Sequence, residues 1–241
     1  MDVALTNRIG ENLISKYGSI NTVIDYRSGR DIDVLVHTVH DNGNEFDHII
    51  LNTSYYRYLK GTIKSPYDIS VGGIGYMGEG MYDSSDEICL RFYDMIICSK
   101  RREKMSIIYE PWKCLQNFAD WYNNNTYYVP DDKLVLYRLN PYNYNMNPDN
   151  CILIPSLLAS KIIGYFSVNK YSFTERYGKW YLILRRSREK DIVHKSVYKS
   201  KEELMSCFYS IRYKLFFDII NEYKDILPYD VFEKMIINIR L

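Results

Sequence analysis

A chain of 241 residues, of which 46% are apolar, is long enough for one large domain or two to three small ones with buried cores. The formal net charge of +1 argues against a protein that binds or mimics polyanions through its bulk charge. No apolar run reaches the length of a membrane-spanning helix, and the N-terminus lacks the basic and apolar regions of a signal peptide, so we expect no membrane association.

The cysteines favour a reducing compartment. They occur at wide, irregular spacing without a Cys-x-x-Cys pair, which argues against a zinc ribbon and predicts free core thiols; the five are Cys89, Cys98, Cys114, Cys151 and Cys207. A protein of the cytosol, or one assembled there, follows from this pattern.

Residues 1–67 are predicted to form a small β-rich module with a plain structural role. Apolar and polar residues alternate in three segments separated by turn-forming residues, and these segments are 21–26, 32–37 and 46–51. The histidines His37, His40 and His48 offer a metal-binding alternative, but surface histidines of a sheet explain them more simply.

Residues 68–84 contain five glycines between positions 72 and 80. A phosphate-binding loop would need a buried strand before the glycines and a helix directly after them, and a P-loop would also need a Lys-Ser/Thr pair. These features are missing, so a Gly-rich linker or arm is predicted instead.

The centre of the chain, residues 85–165, is predicted to combine helices with a ββα unit. Apolar residues recur at helical spacing in 85–100 and 110–125. Strand patterns at 134–137 and 151–154 flank a loop rich in Asn and Pro, and a helical pattern follows the second strand. The order strand, loop, strand, helix defines the ββα unit.

Residues 166–241 are predicted to form a three-stranded basic sheet backed by a long helix. Strand patterns occur at 170–174, 180–186 and 192–198, and the helical pattern begins at Lys201. Clustered Lys and Arg on a sheet favour contact with nucleic-acid phosphates. The predicted nucleic-acid-binding residues are Lys179, Arg185, Arg186, Arg188, Lys190 and Lys195. The whole chain is therefore expected to be an α+β protein, with domain boundaries after residues 67, 84 and 165.

Five short motifs follow one another in order: GYMGEG at 75–80, FYDMI at 92–96, PW at 111–112 with Phe118 and Trp121 after it, NPDNCILIP at 147–155 and YKDILPYDVFE at 223–233. Their order and spacing resemble those of phage-encoded HNH homing-endonuclease-like proteins that end in an APETALA-like DNA-binding domain. The resemblance covers most of the chain from the Gly-rich arm onwards. It implies a phage protein with a central ββα-metal unit and a C-terminal DNA-binding sheet.

The residues that hold the metal in such nucleases are replaced in this chain. The resemblance places a base or metal ligand on the first strand and a His or Asn on the helix, around a divalent cation. Tyr137 and Leu139 occupy the first-strand positions here, and Ala159 occupies the helix position. Asn150 remains, but packing or capping a turn is its favoured role. We therefore expect a degenerate site without a cofactor, and only an active nuclease would need Mg²⁺ or Mn²⁺.

Three functions remain open at this point. We favour a catalytically inactive HNH-like protein that binds DNA in the host cytoplasm or in the virion. The second is a structural virion component or a protein-binding antagonist of host defence, which would act with a phage or host protein or as a homo-oligomer; the 25 tyrosines suit such an interface. The third is an active metal-dependent DNA nickase, with Asp131 and Asp132 as the carboxylates nearest the site.

Overall fold

The computed structural model describes residues 8–27, 29–40, 43–100, 106–140, 143–166, 171–185 and 192–239. The protein is a mixed α+β chain, which confirms the predicted class. It divides into two compact units, Met1–Asn124 and Asn125–Leu241. The division falls inside the predicted central segment 85–165, so that the predicted helices lie in the first unit and the ββα unit lies in the second.

The first unit begins with a four-stranded antiparallel sheet in the order β1-β2-β3-β4. Its strands are β1 (Asn12–Ile14), β2 (Ile20–Tyr26), β3 (Asp31–Val39) and β4 (Glu45–Ser54). The three predicted strands are confirmed, and β1 adds a fourth. One face of the sheet packs into a core whose fully buried members are Val23, Ile32, Val34, Val36, Tyr58 and Ile63. Tyr58 comes from the short helix α1 (Tyr55–Leu59), which follows β4 directly.

The two longer helices described in the first unit are α2 (Glu87–Lys100) and α3 (Leu115–Asn124), with the short strand β5 (Ile107–Ile108) between them. The single helix predicted for 110–125 is wrong. A 3-10 helix (Glu110–Lys113) comes first, and Cys114 then adopts an extended conformation with ψ 128° before α3 begins.

The Gly-rich segment is the physical cause of this break. The Tyr76 amide donates to the Lys113 carbonyl at 2.8 Å, and the Leu115 amide donates to the Tyr76 carbonyl at 2.9 Å. These two bonds pair the segment with Cys114 and prevent continuous helical bonding there. A Cβ atom at Gly75 would lie 2.8 Å from the Phe92 ring, so this close approach requires glycine.

The second unit contains the predicted ββα order. Strands β6 (Leu134–Arg138) and β8 (Cys151–Pro155) pair in antiparallel register, the loop between them holds the short strand β7 (Asn145–Met146), and α4 (Ser156–Phe166) follows. A three-stranded antiparallel sheet comes next, with β10 (Lys179–Arg185) between β9 (Tyr171–Arg176) and β11 (Ile192–Tyr198). The chain then forms α5 (Lys201–Asn221) and α6 (Tyr229–Ile239).

Helix α5 belongs to two cores of this unit. Its first half packs Leu204 and Phe208 against Leu182 of β10. Its second half joins the core of the ββα unit through Phe216, Ile219 and Ile220, where the buried partners are Leu139, Ile152, Ile154, Leu158, Ala159, Ile162, Leu227, Val231 and Met235. Ser200 caps the N-terminus of the helix, because its side chain accepts a hydrogen bond from the Glu203 amide at 3.2 Å.

None of the helices in the described ranges is long and apolar enough to cross a membrane.

Replacing Phe216 with Ala tests the shared role of α5. Phe216 is 2% exposed, and truncating a buried Phe costs about 3–5 kcal/mol of unfolding free energy. The neighbouring Phe217 is 37% exposed, so Phe217→Ala should change the stability by less than about 1 kcal/mol. Urea unfolding followed by circular dichroism measures both changes, and equal effects of the two substitutions would contradict this packing.

Candidate nucleic-acid interface

One face of the three-stranded sheet is covered by α5. Trp180 and Leu182 of β10 point towards the helix, where Leu182 is fully buried and Trp180 packs against the same cluster. Side chains alternate between the two faces along a strand. Lys179, Tyr181 and Ile183 therefore lie on the opposite face, which is called the open face below.

The register of the sheet brings three cations together on the open face. Arg176 lies directly opposite Lys179, and Lys195 lies directly opposite Ile183. Directly opposed residues of an antiparallel pair share a face. The side chains of Arg176, Lys179 and Lys195 are all exposed.

The open face carries no acidic residue as far as its strands are described (171–185 and 192–198). The one acid in these ranges is Glu175, which lies opposite Trp180 and thus on the covered side. Tyr181 and Thr174, which are opposed in register, lie in the middle of the open face. The surface therefore combines positive charge with an aromatic ring and a hydroxyl group.

The predicted binding residues divide into three groups. Lys179 and Lys195 lie on the open face. Arg185 ends β10, where a register shift follows Leu184 and Arg185 pairs with Ile192. The positions of Arg186, Arg188 and Lys190 lie outside the described residues. All six stay predictions as ligands of nucleic acid.

Arg176 and Tyr181 were missed as site residues. The signal for Arg176 was available in the sequence, because a two-residue turn at Tyr177-Gly178 places its flanking residues opposite each other. Tyr177 and Gly178 both have positive φ angles, 53° and 67°, as the tight hairpin turns of this type require.

Three positions that the resemblance assigns to a degenerate nuclease site lie in the hydrophobic core or against it. Leu139 and Ala159 are 8% and 6% exposed, and Tyr137 packs against the same cluster. Burial raises the pKa of Tyr137 to about 12, so its hydroxyl stays protonated at neutral pH. A half-open pocket of about 20 Å³, with room for about one water molecule, lies beside Tyr137 and Leu139 and is also lined by residues of α4, α5 and α6.

Asn150 organises the loop between β6 and β8. The side chain is 5% exposed. Its oxygen accepts a hydrogen bond from the Asn140 amide at 3.1 Å, and its nitrogen donates to the carbonyls of Asn143 and Asn145 at 3.1 and 2.7 Å. Both N–H groups of the side-chain amide and one lone pair of its oxygen are thus used within the loop.

Asp132 acts as a remote cap of α4. One carboxylate oxygen accepts a hydrogen bond from the Ser156 hydroxyl at 2.5 Å, and the other accepts from the Leu157 amide at 3.0 Å. Burial tends to raise the pKa of Asp132, but these bonds and the Lys133 amide outweigh it and lower the pKa below its ordinary value. The ionised carboxylate also suits the positive end of the helix dipole.

The three N-terminal histidines do not converge. His37 lies opposite Asp47, with its Nδ1 atom 2.7 Å from the carboxylate, whereas His48 lies opposite Val36 on the other face of the sheet. His40 contacts the Tyr67 ring. In the part of the chain that the structure describes, no three His, Cys, Asp or Glu side chains are placed to hold a metal ion.

Comparison of the chain with protein-family models, with curated proteins and with solved structures gives no match. The resemblance to HNH homing-endonuclease-like proteins therefore stays a prediction from sequence motifs. The same holds for the domain boundaries after residues 67, 84 and 165.

Asn150→Ala separates a structural role from a metal-binding one. The substitution removes three hydrogen bonds that the buried Asn150 side chain makes to the loop backbone, and we expect a loss of about 1–3 kcal/mol of unfolding free energy. Asp149 is exposed, so Asp149→Ala should cost less than about 0.5 kcal/mol. Urea unfolding with and without Mg²⁺ is the measurement. A Mg²⁺-dependent stabilisation of the parent chain that Asn150→Ala removes would contradict the structural role.

Proposed function

We propose that this protein is a catalytically inactive relative of phage HNH endonuclease-like proteins and that it binds DNA through the open face of the β9–β11 sheet. The observation that carries the proposal is the grouping of Arg176, Lys179 and Lys195 on one acid-free face in the described strands. DNA is the expected partner, and the host cytoplasm or the virion is the expected location.

The dimensions of the open face suit a duplex. Three strands about 4.8 Å apart give a ribbon about 10 Å wide, which is close to the width of the major groove, about 12 Å. Lys195 lies opposite Ile183, which is four residues after Lys179 on β10. Lys179 and Lys195 are therefore about 13 Å apart along the strand direction. Cations at the two ends of such a ribbon can contact phosphates on both sides of the groove.

The distribution of charge between the two units supports the same surface. Residues 125–241 contain 18 Lys or Arg and 13 Asp or Glu, whereas residues 1–124 contain 13 and 17. The near-neutral net charge of the whole chain is therefore the sum of a negative first unit and a positive second unit. Long-range attraction of a polyanion would favour approach to this unit.

The inactive state is supported by what occupies the ββα unit. Hydrolysis of a phosphodiester needs a metal ion and a positioned base. Tyr137, Leu139 and Ala159 are core residues, and Asn150 and Asp132 use their polar atoms in local hydrogen bonds. In the described part of the unit, these groups therefore stabilise the fold through packing and local hydrogen bonds.

Removing the three cations of the open face should weaken DNA binding. The variant Arg176→Gln/Lys179→Gln/Lys195→Gln is compared with Lys133→Gln/Lys214→Gln/Lys224→Gln, which removes equal charge from exposed positions elsewhere in the second unit. Each lost phosphate contact lowers the slope of log affinity against log salt by about 0.9, so three contacts lower it by about 2.7. Fluorescence anisotropy of a labelled duplex across a salt series measures the slope.

Equal slopes for both triple variants would overturn the open face as the binding surface. A further variant with Arg185, Arg186, Arg188 and Lys190 replaced by Ala tests the remaining predicted positions in the same assay. A symmetric oligomer in size-exclusion chromatography that ignores DNA would instead favour the structural or protein-binding alternative.

Supercoiled plasmid should stay intact in the presence of the protein and Mg²⁺ or Mn²⁺, because no described group positions a metal ion next to a base. Gel electrophoresis over a time course measures nicking. Nicking that Asp131→Asn/Asp132→Asn abolishes would establish the nickase alternative, whereas nicking that persists in this variant indicates a contaminating nuclease.

A further inference from the structure

Two loops of the first unit bring Lys16, Tyr17 and Lys64 together, and the neighbouring helix α1 carries a second lysine–tyrosine pair. Lys16 and Tyr17 lie in the turn between β1 and β2, and Lys64 lies in the segment that follows α1. The Nζ atoms of Lys16 and Lys64 lie 5.1 and 5.6 Å from the centre of the Tyr17 ring. Nearby in the chain, the Nζ atom of Lys60 lies 5.3 Å from the ring centre of Tyr56, which is 66% exposed.

The two loops are joined by backbone and side-chain hydrogen bonds. The Lys16 amide donates to the Gly61 carbonyl at 2.9 Å. Behind the surface, one oxygen of the buried Asp68 carboxylate accepts from the Ser19 hydroxyl at 2.8 Å and from the Ser65 amide at 2.7 Å. Both loops are therefore fixed to the same carboxylate.

The charge of this surface is opposite to that of the unit that carries it. Residues 12–24 and 48–67 contain four cations and no Asp or Glu, although the first unit as a whole has more acids than bases. Among the described residues, none of Lys16, Lys60 and Lys64 forms an ion pair. Three exposed ammonium groups are thus available to an anion.

We propose that Lys16, Tyr17, Tyr56, Lys60 and Lys64, together called the basic tyrosine patch, bind single-stranded nucleic acid. The ammonium groups contact phosphates, and an unpaired base stacks on the exposed Tyr56 ring. Cations interleaved with aromatic rings are the combination that binds single strands without sequence preference. A duplex would use only the cations, because its bases are stacked on each other.

The patch is independent of the open face of the β9–β11 sheet. It lies in the other compact unit, and the two surfaces are proposed for different forms of nucleic acid. A negative result for one of the two binding surfaces therefore does not contradict the other.

Binding of a labelled oligothymidine to the full chain, measured by anisotropy across a salt series, tests the cations. The variant Lys16→Gln/Lys64→Gln should lower the salt slope by about 1.4, since each single-strand phosphate contact contributes about 0.7. The control Arg30→Gln/Lys100→Gln removes two exposed cations from the same unit and should bind like the parent chain. Lys16→Arg/Lys64→Arg keeps the charge and should also bind normally, which guards against a folding defect.

Tyr56→Leu tests the stacking step. Loss of one base–aromatic stack weakens binding by about fivefold or more, whereas Tyr56→Phe keeps the ring and should retain affinity. An equal effect of Lys16→Gln/Lys64→Gln and its control, or an unchanged affinity of Tyr56→Leu, would overturn the proposal.

Two further measurements distinguish single-stranded nucleic acid from other anionic ligands. Binding of polyglutamate or of phosphatidylserine vesicles is measured in the same way. If either binds as tightly as oligothymidine and loses binding in Lys16→Gln/Lys64→Gln, the ligand is an acidic peptide or a lipid surface, and the proposal is overturned. Duplex binding is measured beside it with Arg176→Gln/Lys179→Gln/Lys195→Gln. Unchanged duplex binding in that variant removes the proposed function of the sheet but not the basic tyrosine patch.

Discussion

The packing of α5 against two cores is the constraint on which the second unit depends. Leu204 and Phe208 hold the helix to the basic sheet, and Phe216 and Ile220 hold it to the ββα unit. The same helix thereby leaves one sheet face open and covers the positions where a nuclease of the resembled type would hold its metal. A catalytic site and this packing cannot both occupy the same place, because carboxylates without partners are costly in an apolar core.

The polar residues around the ββα unit serve folding. The Asn150 side chain makes three hydrogen bonds to backbone groups of the loop that would otherwise bond to water. Asp132 caps a helix that begins 24 positions later in the chain. Groups of these types are suited to metal binding as well as to loop and cap formation. Their bonding partners, rather than their chemical types, decide between these roles, and here the partners are backbone amides, backbone carbonyls and one serine.

Local patterns in the sequence predicted most elements but few of the tertiary contacts. The alternation of apolar and polar residues predicted the strands around Val34 and Leu182. The Tyr177-Gly178 turn could also have placed Arg176 opposite Lys179, but Arg176 was missed as a site residue. The break at Cys114 could not be predicted, since it depends on pairing with Tyr76, 38 positions earlier. The role of Asp132 and the meeting of Lys16 with Lys64 likewise depend on contacts between segments distant in the chain, for which periodicity carries no signal.

The shared carboxylate of Asp68 has a consequence for any ligand of the first unit. Because Ser19 and Ser65 bond to one oxygen, the β1–β2 turn and the segment after α1 are ordered together when the sheet folds. Conformational entropy that two mobile loops would lose on association is then already lost in the free protein. A weak surface made of three lysines and two tyrosines can for this reason bind a flexible strand with the ordering cost confined to the strand itself.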